Sequence, residues 1–495
     1  MWKAIPGGLI CLAAGVALPF AFSPYDLHFL ALLSSALLFH AWLKSGPSQA
    51  FVYGYLFGLG MFGAGVNWLH ISINLFGGVS LAGSLALTFA LVAFLALYPA
   101  LVGYLARTIP ARSEFSLLTG MVPALWVLAE WVRTWALTGF PWLHLGYSLT
   151  DTPLAGLAPV TGVFGLSWGL TAMAGGLVAL PVSRRGGRIA VAAGIAALVT
   201  AGWAAGKHDW TRSTEPGLPA TVVQGAVPQD MKWRAEFREQ ALDRYGSLTE
   251  PHWHSRIIVW PETAIPAFPH QVEGFLAQLK IRAEANGTDL YVGLPVSSKD
   301  GNRYYNSVVL LNSTGGVYNK RHLVPFGEYL PMKPLLGDLV GFLQIPMSDF
   351  SPGGRDQALL TGKHAVAGVS ICYEDTFGEE VMRALPEAQI LINVSNDAWF
   401  GDSAAPHQHL QMARMRSLET GRYLLRATNT GVSAIIDQKG VIVRRSAQFQ
   451  PATISAEVKL YEGLTPYAST GNLPVIIAAL LTLLLSASLR RGKRD

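Results

Sequence analysis

Long apolar runs are the feature of this sequence that most constrains its fold. Up to about residue 206 the chain contains roughly seven stretches close to membrane-spanning length, and an eighth lies near its end. A helix needs about 20 apolar residues to cross the hydrocarbon core of a bilayer, so these stretches predict a multi-span α-helical membrane domain. The predicted spans are 6–22, 27–43, 51–71, 80–105, 117–137, 158–181, 188–206 and 471–489.

The composition supports a membrane protein and limits its partners. Hydrophobic residues make up 51% of the chain and charged residues 14%, and the mean hydropathy is +0.33. Such values are typical of a chain with membrane spans rather than of an ordinary soluble domain. The net charge of +5 is mild, and the sequence has no basic run interleaved with aromatic residues outside the loops that flank the spans. We therefore expect no nucleic-acid partner.

The distribution of Lys and Arg predicts how the chain is oriented in the membrane. With seven spans before the long insert and one after it, the basic residues fall in alternate loops, which the positive-inside rule places in the cytoplasm. Both termini are therefore predicted to be cytoplasmic, and residues 207–470 are predicted to lie on the outer face. The basic residues concerned are Lys3, Lys44, Arg107, Arg112, Arg184, Arg185, Arg188, Arg490, Arg491, Lys493 and Arg494.

The long insert differs in character from the apolar runs on either side of it. It carries most of the charge and alternates strand patterns with helix patterns, which is typical of a layered α/β domain. Strands are predicted at 220–224, 256–260, 289–294, 307–311, 317–322, 365–371, 390–394, 423–427, 432–437 and 440–445, and helices at 234–248, 272–285, 379–385 and 408–422. The predicted domains are an N-terminal membrane domain (1–206), the α/β domain (207–470) and a C-terminal span with a basic cytoplasmic tail (471–495).

Three predicted strands of the insert end on residue types that acyl chemistry needs. A strand stopped by proline exposes Glu262, the second arm of a hairpin carries Lys320, and the strand at 365–371 runs directly into Cys372. A thiol can act as a nucleophile, a carboxylate can take its proton, and an ammonium can stabilise an oxyanion. Taken singly, each has an ordinary alternative: a small buried hydrophobe for the cysteine, and a solvated surface charge for the other two.

The two cysteines, Cys11 and Cys372, are predicted to be free thiols. Cys11 lies inside the first apolar run, so a disulfide would require a membrane residue to meet a soluble pocket. Disulfides are common outside the cytoplasm, and a lone free cysteine in an outer domain is therefore a candidate reactive residue.

Together, the three strand-end residues resemble the Glu–Lys–Cys signature of the nitrilase superfamily over about residues 219–462. The matching features are Trp260-Pro261-Glu262, a lysine on a strand hairpin, and a cysteine at a strand end before Tyr373-Glu374. Four further stretches narrow the resemblance to the apolipoprotein N-acyltransferase family, which the frame of seven spans plus one also fits. These stretches are Gln224–Gln229 with Lys232 and Trp233, Val324–Pro331, Val394–Phe400, and Thr428–Gly431.

The resemblance implies a fold and a set of roles. The α/β domain is expected to be a nitrilase-like αββα sandwich. Cys372 is expected to be the nucleophile, Glu262 the general base, and Lys320 the group that stabilises the thiolate and the oxyanion. The expected supporting residues are Glu328, Tyr373 and Glu374. The implied chemistry needs neither a metal ion nor a cofactor.

The resemblance also implies a two-step acyl exchange on the periplasmic face of the bacterial inner membrane. Cys372 would attack an acyl ester of a membrane phospholipid, giving a thioester and a lysophospholipid. The α-amino group of the N-terminal diacylglyceryl-cysteine of an apolipoprotein would then take the acyl chain. A thioester suits this exchange because it reacts readily with amines. We expect the protein to be a monomer.

Four aromatic residues are candidates for substrate contact: Trp142, Trp233, Trp399 and Phe400. Trp233 follows a strand-end loop and suits a pocket wall. Trp399 and Phe400 lie in a loop flanked by glycine, where they could form a lid or contact lipid. Trp142 lies near the outer end of a predicted span. For these last three residues, an ordinary anchor at the membrane interface is the alternative.

Two other classes of function stay open from the sequence. A membrane-tethered nitrilase-type amidase would use the same three residues with water as the acyl acceptor. A transporter or scaffold with an inactive soluble domain would not need them, and the spans contain few of the interior charges that a solute pathway requires. His407 and His409 lack a companion set of ligands at metal-site spacing, so a helix-start or surface role is favoured for them.

Overall fold

The computed structural model describes residues 5–214, 216–312, 314–329 and 349–487. The chain divides into two compact units, of which the second contains 71–80 and 209–468 and the first contains the remainder. The predicted domain limits at 206 and 470 are membrane boundaries. The division into two compact units does not test them, so these limits stay a prediction. Residues named above that lie outside the described ranges are Lys3, Leu330, Pro331, Arg490, Arg491, Lys493 and Arg494.

The described part of the first unit is helical. Its helices are Ile5–Ala17, Phe29–Leu43, Pro47–Gly65, Leu69–Leu75 (which runs on into the second unit), Leu81–Leu95, Leu97–Thr108, Glu114–Ser116, Val122–Trp135, Ala158–Ala179, Arg185–Lys207 and Leu473–Ser486. Their composition is strongly apolar, as expected for helices that meet lipid. The predicted multi-span helical region is therefore confirmed as a fold class.

Four helical stretches among the described residues are long and apolar enough to cross a membrane. They are Leu81–Thr108, Glu114–Thr138, Pro153–Ala179 and Arg185–Lys207. A fifth is added if Pro47–Gly65 and Leu69–Leu75, bent by 55°, form one span, and three shorter apolar helices lie at Gly7–Ala21, Phe29–Leu43 and Leu473–Ser486. Each of the eight predicted spans overlaps one of these, and the number that crosses the bilayer stays a prediction.

Glycines let the first and third helices of this unit approach each other closely. A Cβ atom on Gly15 would lie 2.1 Å from the Phe57 carbonyl oxygen, and a Cβ atom on Gly60 would lie 2.4 Å from the Leu12 carbonyl oxygen. A side chain cannot fit at either distance, so the two backbones pack directly against each other. Small residues commonly allow this kind of contact between membrane helices.

The second unit is an α/β domain. Its strands are β1 (Arg212–Ser213), β2 (Leu218–Gln224), β3 (Ile257–Val259), β4 (Asp289–Ser297), β5 (Tyr304–Leu311), β6 (Val317–Asn319), β7 (Leu360–Thr361), β8 (Val366–Ile371), β9 (Ile390–Ser395), β10 (Leu424–Thr428), β11 (Ala434–Ile436), β12 (Ile442–Arg445), β13 (Ala452–Val458) and β14 (Tyr461–Glu462). Its helices are Gln229–Lys232, Arg238–Thr249, Glu273–Asn286, Gly378–Val381, Ala405–Thr420 and Pro466–Thr470.

Two six-stranded sheets form the body of this unit. Their strand orders are β13-β2-β3-β4-β5-β6 and β12-β11-β10-β9-β8-β7. The pairs β2–β3, β3–β4, β8–β9 and β9–β10 are parallel, and the outer pairs are antiparallel. Apolar side chains of both sheets share one core, and the opposite face of each sheet is covered by further packed residues, including those of helices. The predicted αββα sandwich is confirmed.

The predicted elements are present, with differences at their ends. Each of the ten predicted strands is found, and the hairpin pairs β5 with β6 so that Ser307 lies opposite Asn319. The strand β13, which pairs along its seven residues with β2, was not predicted. The helix predicted at 379–385 is wrong in length: Gly378–Val381 is α-helical and a 3₁₀ turn follows. Pro386 explains why Leu385 is extended rather than helical, because helical angles are disfavoured for a residue that precedes proline.

Gly293 on β4 lets the turn that carries Glu262 lie directly against the sheet. A Cβ atom on Gly293 would lie 2.2 Å from the Pro261 carbonyl oxygen and 2.8 Å from the Glu262 Cα atom. Gly293→Ala should displace this turn and lower the free energy of unfolding by about 1–3 kcal/mol, measured by thermal unfolding of the detergent-solubilised protein. Gly274→Ala is the matched control, because its Cβ would meet open space. Equal unfolding temperatures for the two variants would contradict the close approach.

Candidate active site

Glu262 is positioned by the end of β3. The Trp260 N–H still donates to the Tyr291 carbonyl oxygen at 2.8 Å, but Pro261 has no N–H to donate, so the chain leaves the sheet in a turn. The Glu262 residue is 7% exposed. Its Oε1 atom lies 3.7 Å from the Lys320 Nζ atom.

Lys320 follows β6 and is 1% exposed. Its Nζ atom lies 2.8 Å from the Glu328 carboxylate, in addition to its contact with Glu262. Burial alone lowers the pKa of Lys320, but the carboxylates of Glu328 and Glu262 and the nearby Cys372 sulfur outweigh it and raise the pKa above its ordinary value. Lys320 is therefore an ammonium ion at neutral pH.

Asn306, on β5, joins the two carboxylates. Its Nδ2 atom donates to Glu262 Oε1 at 2.6 Å and to Glu328 Oε1 at 3.0 Å, and its backbone carbonyl accepts from the Lys320 N–H at 2.8 Å. Glu328 also accepts from the Val324 N–H at 2.8 Å. Asn306 was not predicted as a site residue. One signal in the sequence could have indicated it: Asn306 stands beside a run of apolar strand residues. A polar amide in a buried strand needs hydrogen-bond partners, and such partners are often the residues of a site.

Cys372 lies at the end of β8 in a strained backbone conformation. Its φ angle is +51°, which costs a residue other than glycine about 1–3 kcal/mol. The thiol packs against the core that the two sheets share. Burial and the charge of Glu262 raise the pKa of the Cys372 thiol, while Lys320 lowers it. The net shift is upward, so the thiol is protonated at neutral pH.

Hydrogen bonds to the Glu374 carboxylate connect the turn after β8 with the end of β6. Its carboxylate accepts from the Ile371 N–H at 2.7 Å, the Arg321 N–H at 2.6 Å and the His322 N–H at 3.2 Å. The Tyr318 hydroxyl lies 3.0 Å from both carboxylate oxygens and donates its one proton to this carboxylate. Each sheet thus contributes donors to one buried carboxylate, and this arrangement fixes the end of β8 relative to the end of β6.

A second charged cluster lies close to Cys372, on residues from the turns after β8 and β9, from β10 and from the helix Ala405–Thr420. His409 bonds through Nδ1 to Asp397 at 3.0 Å and through Nε2 to Asp375 at 2.8 Å. Arg426 donates to the second oxygen of each carboxylate, at 3.1 Å and 2.9 Å. All four residues are at most 2% exposed. We name this set the rear cluster. The surface position favoured for His409 from the sequence is wrong, because the residue is buried, although His409 does lie near the start of the helix Ala405–Thr420.

The rear cluster is balanced in charge. Burial and Arg426 lower the pKa of His409, but Asp375 and Asp397 raise it more, so that the pKa is about 9. Burial raises the pKa of Asp397, yet Arg426 and His409 outweigh it and hold that pKa well below its usual range. The cluster therefore contains two carboxylates and two cations at neutral pH, which is the condition for burying charge without a large penalty.

The atoms of Cys372, Asp397 and His409 that could bind a metal lie within 4.8 Å of one another. Both ring nitrogens of His409, however, are hydrogen bonded to carboxylates. A doubly protonated imidazole has no lone pair to offer a metal ion. These residues therefore fit a charge cluster better than a metal site.

The predicted aromatic residues lie in different places. Trp233 follows the helix Gln229–Lys232 and is half-buried, and Trp399 and Phe400 lie in a half-buried 3₁₀ turn after β9. The Trp399 ring contacts the Phe76 ring, with centroids 5.0 Å apart. Trp142 belongs to the first unit, where it is 4% exposed and packs against Trp68. Their contact with substrate stays a prediction.

Two further residues adjoin the site, since Tyr373 follows Cys372 in the chain and Lys232 contacts the Glu262 backbone. Tyr373 is 8% exposed, and its ring makes an edge contact with Phe377 at a centroid distance of 5.0 Å. Lys232, to which the sequence analysis gave no role, donates from Nζ to the Glu262 carbonyl oxygen at 3.1 Å. Burial lowers the pKa of Lys232 to about 8, although the charge of Glu262 acts in the opposite direction.

Comparison with known proteins identifies the family. Residues 220–463 match the family model for carbon-nitrogen hydrolases, and residues 14–177 match the model for the N-terminal domain of apolipoprotein N-acyltransferase. A protein of Methylococcus capsulatus named apolipoprotein N-acyltransferase is 48% identical, over 94% of this chain and 93% of its own length. The chain belongs to the apolipoprotein N-acyltransferase family. A relative of the same name from Nitrosomonas europaea is 42% identical over 97% of both chains.

Membership of the apolipoprotein N-acyltransferase family confirms the resemblance seen in the sequence. The matched models follow the order of the two compact units, with the helical region first and the carbon-nitrogen hydrolase region second. The relatives are matched over nearly their full length, so the two regions occur together in this family as they do here.

The charge on His409 predicts a pH dependence of stability. A pKa raised from 6.5 to about 9 on folding gives stabilisation that is complete below the unfolded pKa and is lost as the pH rises through about 9, on the order of 3 kcal/mol in all. We expect the thermal unfolding temperature of the detergent-solubilised protein to fall between pH 7 and 10. In His409→Gln, the part of this decrease in unfolding temperature that comes from deprotonation of His409 should disappear. Identical slopes in the two proteins would contradict a buried imidazolium.

Proposed function

We propose that this chain transfers an acyl chain from a membrane phospholipid, through a thioester on Cys372, to the α-amino group of the N-terminal diacylglyceryl-cysteine of apolipoproteins. Family membership supports the reaction class. The observation that carries the thioester route is the grouping of a half-buried thiol, Cys372, with a buried carboxylate and a buried ammonium, Glu262 and Lys320, within mutual electrostatic reach. The apolar helices of the first unit suit an enzyme whose substrates carry acyl chains.

In the first half-reaction, the Cys372 sulfur attacks the carbonyl carbon of the phospholipid ester. The thiol is protonated at rest, so its proton passes to Glu262 as the sulfur–carbon bond forms. Lys320 donates hydrogen bonds to the oxyanion of the tetrahedral intermediate. The ester carbon–oxygen bond then breaks, and Glu262 returns the proton to the leaving oxygen of the lysophospholipid. Glu328 and Asn306 hold Lys320 and Glu262 in place throughout.

In the second half-reaction, the acceptor amine attacks the thioester carbonyl. Glu262 takes a proton from the amine nitrogen as the carbon–nitrogen bond forms, and Lys320 again stabilises the oxyanion. The carbon–sulfur bond breaks, and the proton passes to the departing sulfur, so that Cys372 is a thiol once more. This is a ping-pong sequence in which each substrate meets the same three groups.

The remaining parts of the proposal concern the surroundings of the enzyme. We place the second unit on the periplasmic face of the bacterial inner membrane, with both termini in the cytoplasm and the protein a monomer. Trp233, Trp399 and Phe400 are proposed to contact the acyl chains, since half-buried aromatic rings offer apolar surface to lipid. The reaction as written needs no metal ion and no cofactor.

A two-substrate assay tests the proposed reaction. The purified protein is incubated with phospholipid vesicles and a diacylglyceryl-modified peptide, and the peptide, the lysophospholipid and the free fatty acid are quantified by mass spectrometry. The proposal predicts an N-acylated peptide and an equal amount of lysophospholipid. Release of fatty acid without acylation of the peptide would show a hydrolase instead, and no product of either kind would favour a transporter or scaffold.

Cys372→Ala should abolish the first half-reaction, because a thioester cannot form without the sulfur. The expected result is the loss of all lysophospholipid release in vesicle assays. Cys11→Ala is the matched control, because it removes the chain's other cysteine and should leave the rate within a few-fold of wild type. Product formation by Cys372→Ala at the wild-type rate would remove Cys372 from the reaction.

Glu262→Gln and Lys320→Met should be impaired for different reasons. The first loses the proton acceptor, with an expected loss of about 10²–10⁴-fold in kcat, and the second loses an oxyanion donor, with an expected loss of about 10²–10³-fold. Single-turnover rates of thioester formation measure both. If either variant retained more than a tenth of the wild-type rate, the role given to that residue would be wrong.

A further inference from the structure

Ser395, the last residue of β9, lies beside the nucleophile and contacts the rear cluster. Ile371 lies opposite Val394 on the neighbouring parallel strand, so Cys372 and Ser395 are the next residues along the two strands. The Ser395 hydroxyl donates to Asp397 Oδ1 at 2.9 Å, and a carboxylate oxygen of Asp397 lies within 4.8 Å of the Cys372 sulfur. A hydrogen bond from the Ser395 side chain lowers the pKa of the Cys372 thiol. The side chain is completely buried, so water does not compete for these bonds. A serine hydroxyl carries one proton. It can therefore donate to Asp397 or to the sulfur at any moment, but not to both.

The rear cluster allows Asp397 to lose this hydrogen bond without becoming unpaired. Asp397 Oδ1 is also bonded to His409, and Asp397 Oδ2 accepts from Arg426 at 3.1 Å. A buried carboxylate left without a donor would be costly, but here two cations stay in contact when the serine turns away. The Asp397 carboxylate therefore keeps hydrogen-bond donors in either position of the Ser395 hydroxyl.

The thiol is surrounded by charges of both signs. The charged groups that face it are Glu262, Lys320, Asp397 and His409. Both carboxylates oppose formation of a thiolate, and Lys320 favours it from the first sheet. Ser395 is placed to favour the thiolate from the second sheet, because a hydroxyl that donates to an anion forms a stronger hydrogen bond than one that donates to a neutral sulfur.

We propose that Ser395 is a switching hydrogen-bond donor, whose hydroxyl donates to Asp397 while Cys372 is a thiol and turns to the sulfur when the thiol proton has moved to Glu262. This inference rests on the proposed thioester function. The Ser395 proton stays on Oγ throughout, and the Cys372 proton goes to Glu262, so no bond to Ser395 is made or broken. The donor acts twice in each turnover, because the thiolate is the nucleophile in the first half-reaction and the leaving group in the second.

The test is the rate at which iodoacetamide alkylates Cys372 from pH 6 to pH 10, with peptide mass mapping to count Cys372 apart from Cys11. The rate follows the fraction of thiolate. Ser395→Ala loses a hydrogen bond to the thiolate. Its profile of alkylation rate against pH should therefore move upward by about one pH unit, which corresponds to rates about tenfold lower at a given pH. A merely loosened site would instead expose the thiol and raise the rates.

Matched variants distinguish the effect of the Ser395 hydroxyl from the effect of the side chain's shape. Ser395→Thr keeps a hydroxyl and should follow the wild-type profile, while Ser395→Val, of the same shape as threonine, should follow Ser395→Ala. Ser370→Ala is the control for loss of a buried hydroxyl, since Ser370 Oγ accepts from Asn393 at 3.0 Å; it should leave the profile unchanged.

The outcomes distinguish this inference from the function on which it rests. Wild-type protein that forms a thioester from phospholipid, with a displaced alkylation profile in Ser395→Ala and Ser395→Val, supports the switching donor. If wild type forms the thioester and both variants keep the wild-type profile, the Ser395 inference alone fails. If wild type forms no thioester, the proposed function fails and the inference fails with it.

Discussion

The pairing of a buried ammonium is the interaction on which the site depends. A lysine as deeply buried as Lys320 has to meet carboxylates, because an unpaired charge in a protein interior is too costly to keep. Glu328 meets it at 2.8 Å and Glu262 at 3.7 Å, so one carboxylate serves as the close partner and the other is left able to accept a proton. Burial and the negative charge of Glu262 raise the pKa of the Cys372 thiol more than Lys320 lowers it, so the thiol is protonated at rest.

Both sheets contribute residues to this site. The first sheet supplies Glu262 and Lys320 from the ends of β3 and β6, and the second supplies Cys372 from the end of β8. Glu374 links them, because its carboxylate accepts backbone N–H groups from both sides. The rear cluster lies close to the same sulfur and is balanced in charge. Cys372 therefore has charged neighbours from two sets, Glu262 and Lys320 in the first and Asp397 in the second.

Much of this arrangement could be predicted from the sequence, and the rest could not for physical reasons. Strand ends marked by proline or by a sudden polar residue showed where Glu262, Lys320 and Cys372 lie, and alternation of strands and helices gave the layered fold. Long-range pairing carries no such local signal, so β13 was missed although it lies along the whole of β2. The rear cluster was missed for the same reason: Asp375, Asp397, His409 and Arg426 come from four separate elements. The one available hint was Arg426 inside an apolar strand, since a charge there requires buried partners.

We propose that Cys372 carries the acyl chain between the two substrates. The decisive measurement is the intact mass of the purified protein after incubation with phospholipid vesicles alone, before and after treatment with hydroxylamine, which cleaves thioesters. A thioester on Cys372 should give a mass increase of one acyl chain that maps to Cys372 and disappears with hydroxylamine. An unmodified mass, from folded protein with reduced Cys372 that nevertheless acylates peptide when both substrates are present, would contradict the thioester route.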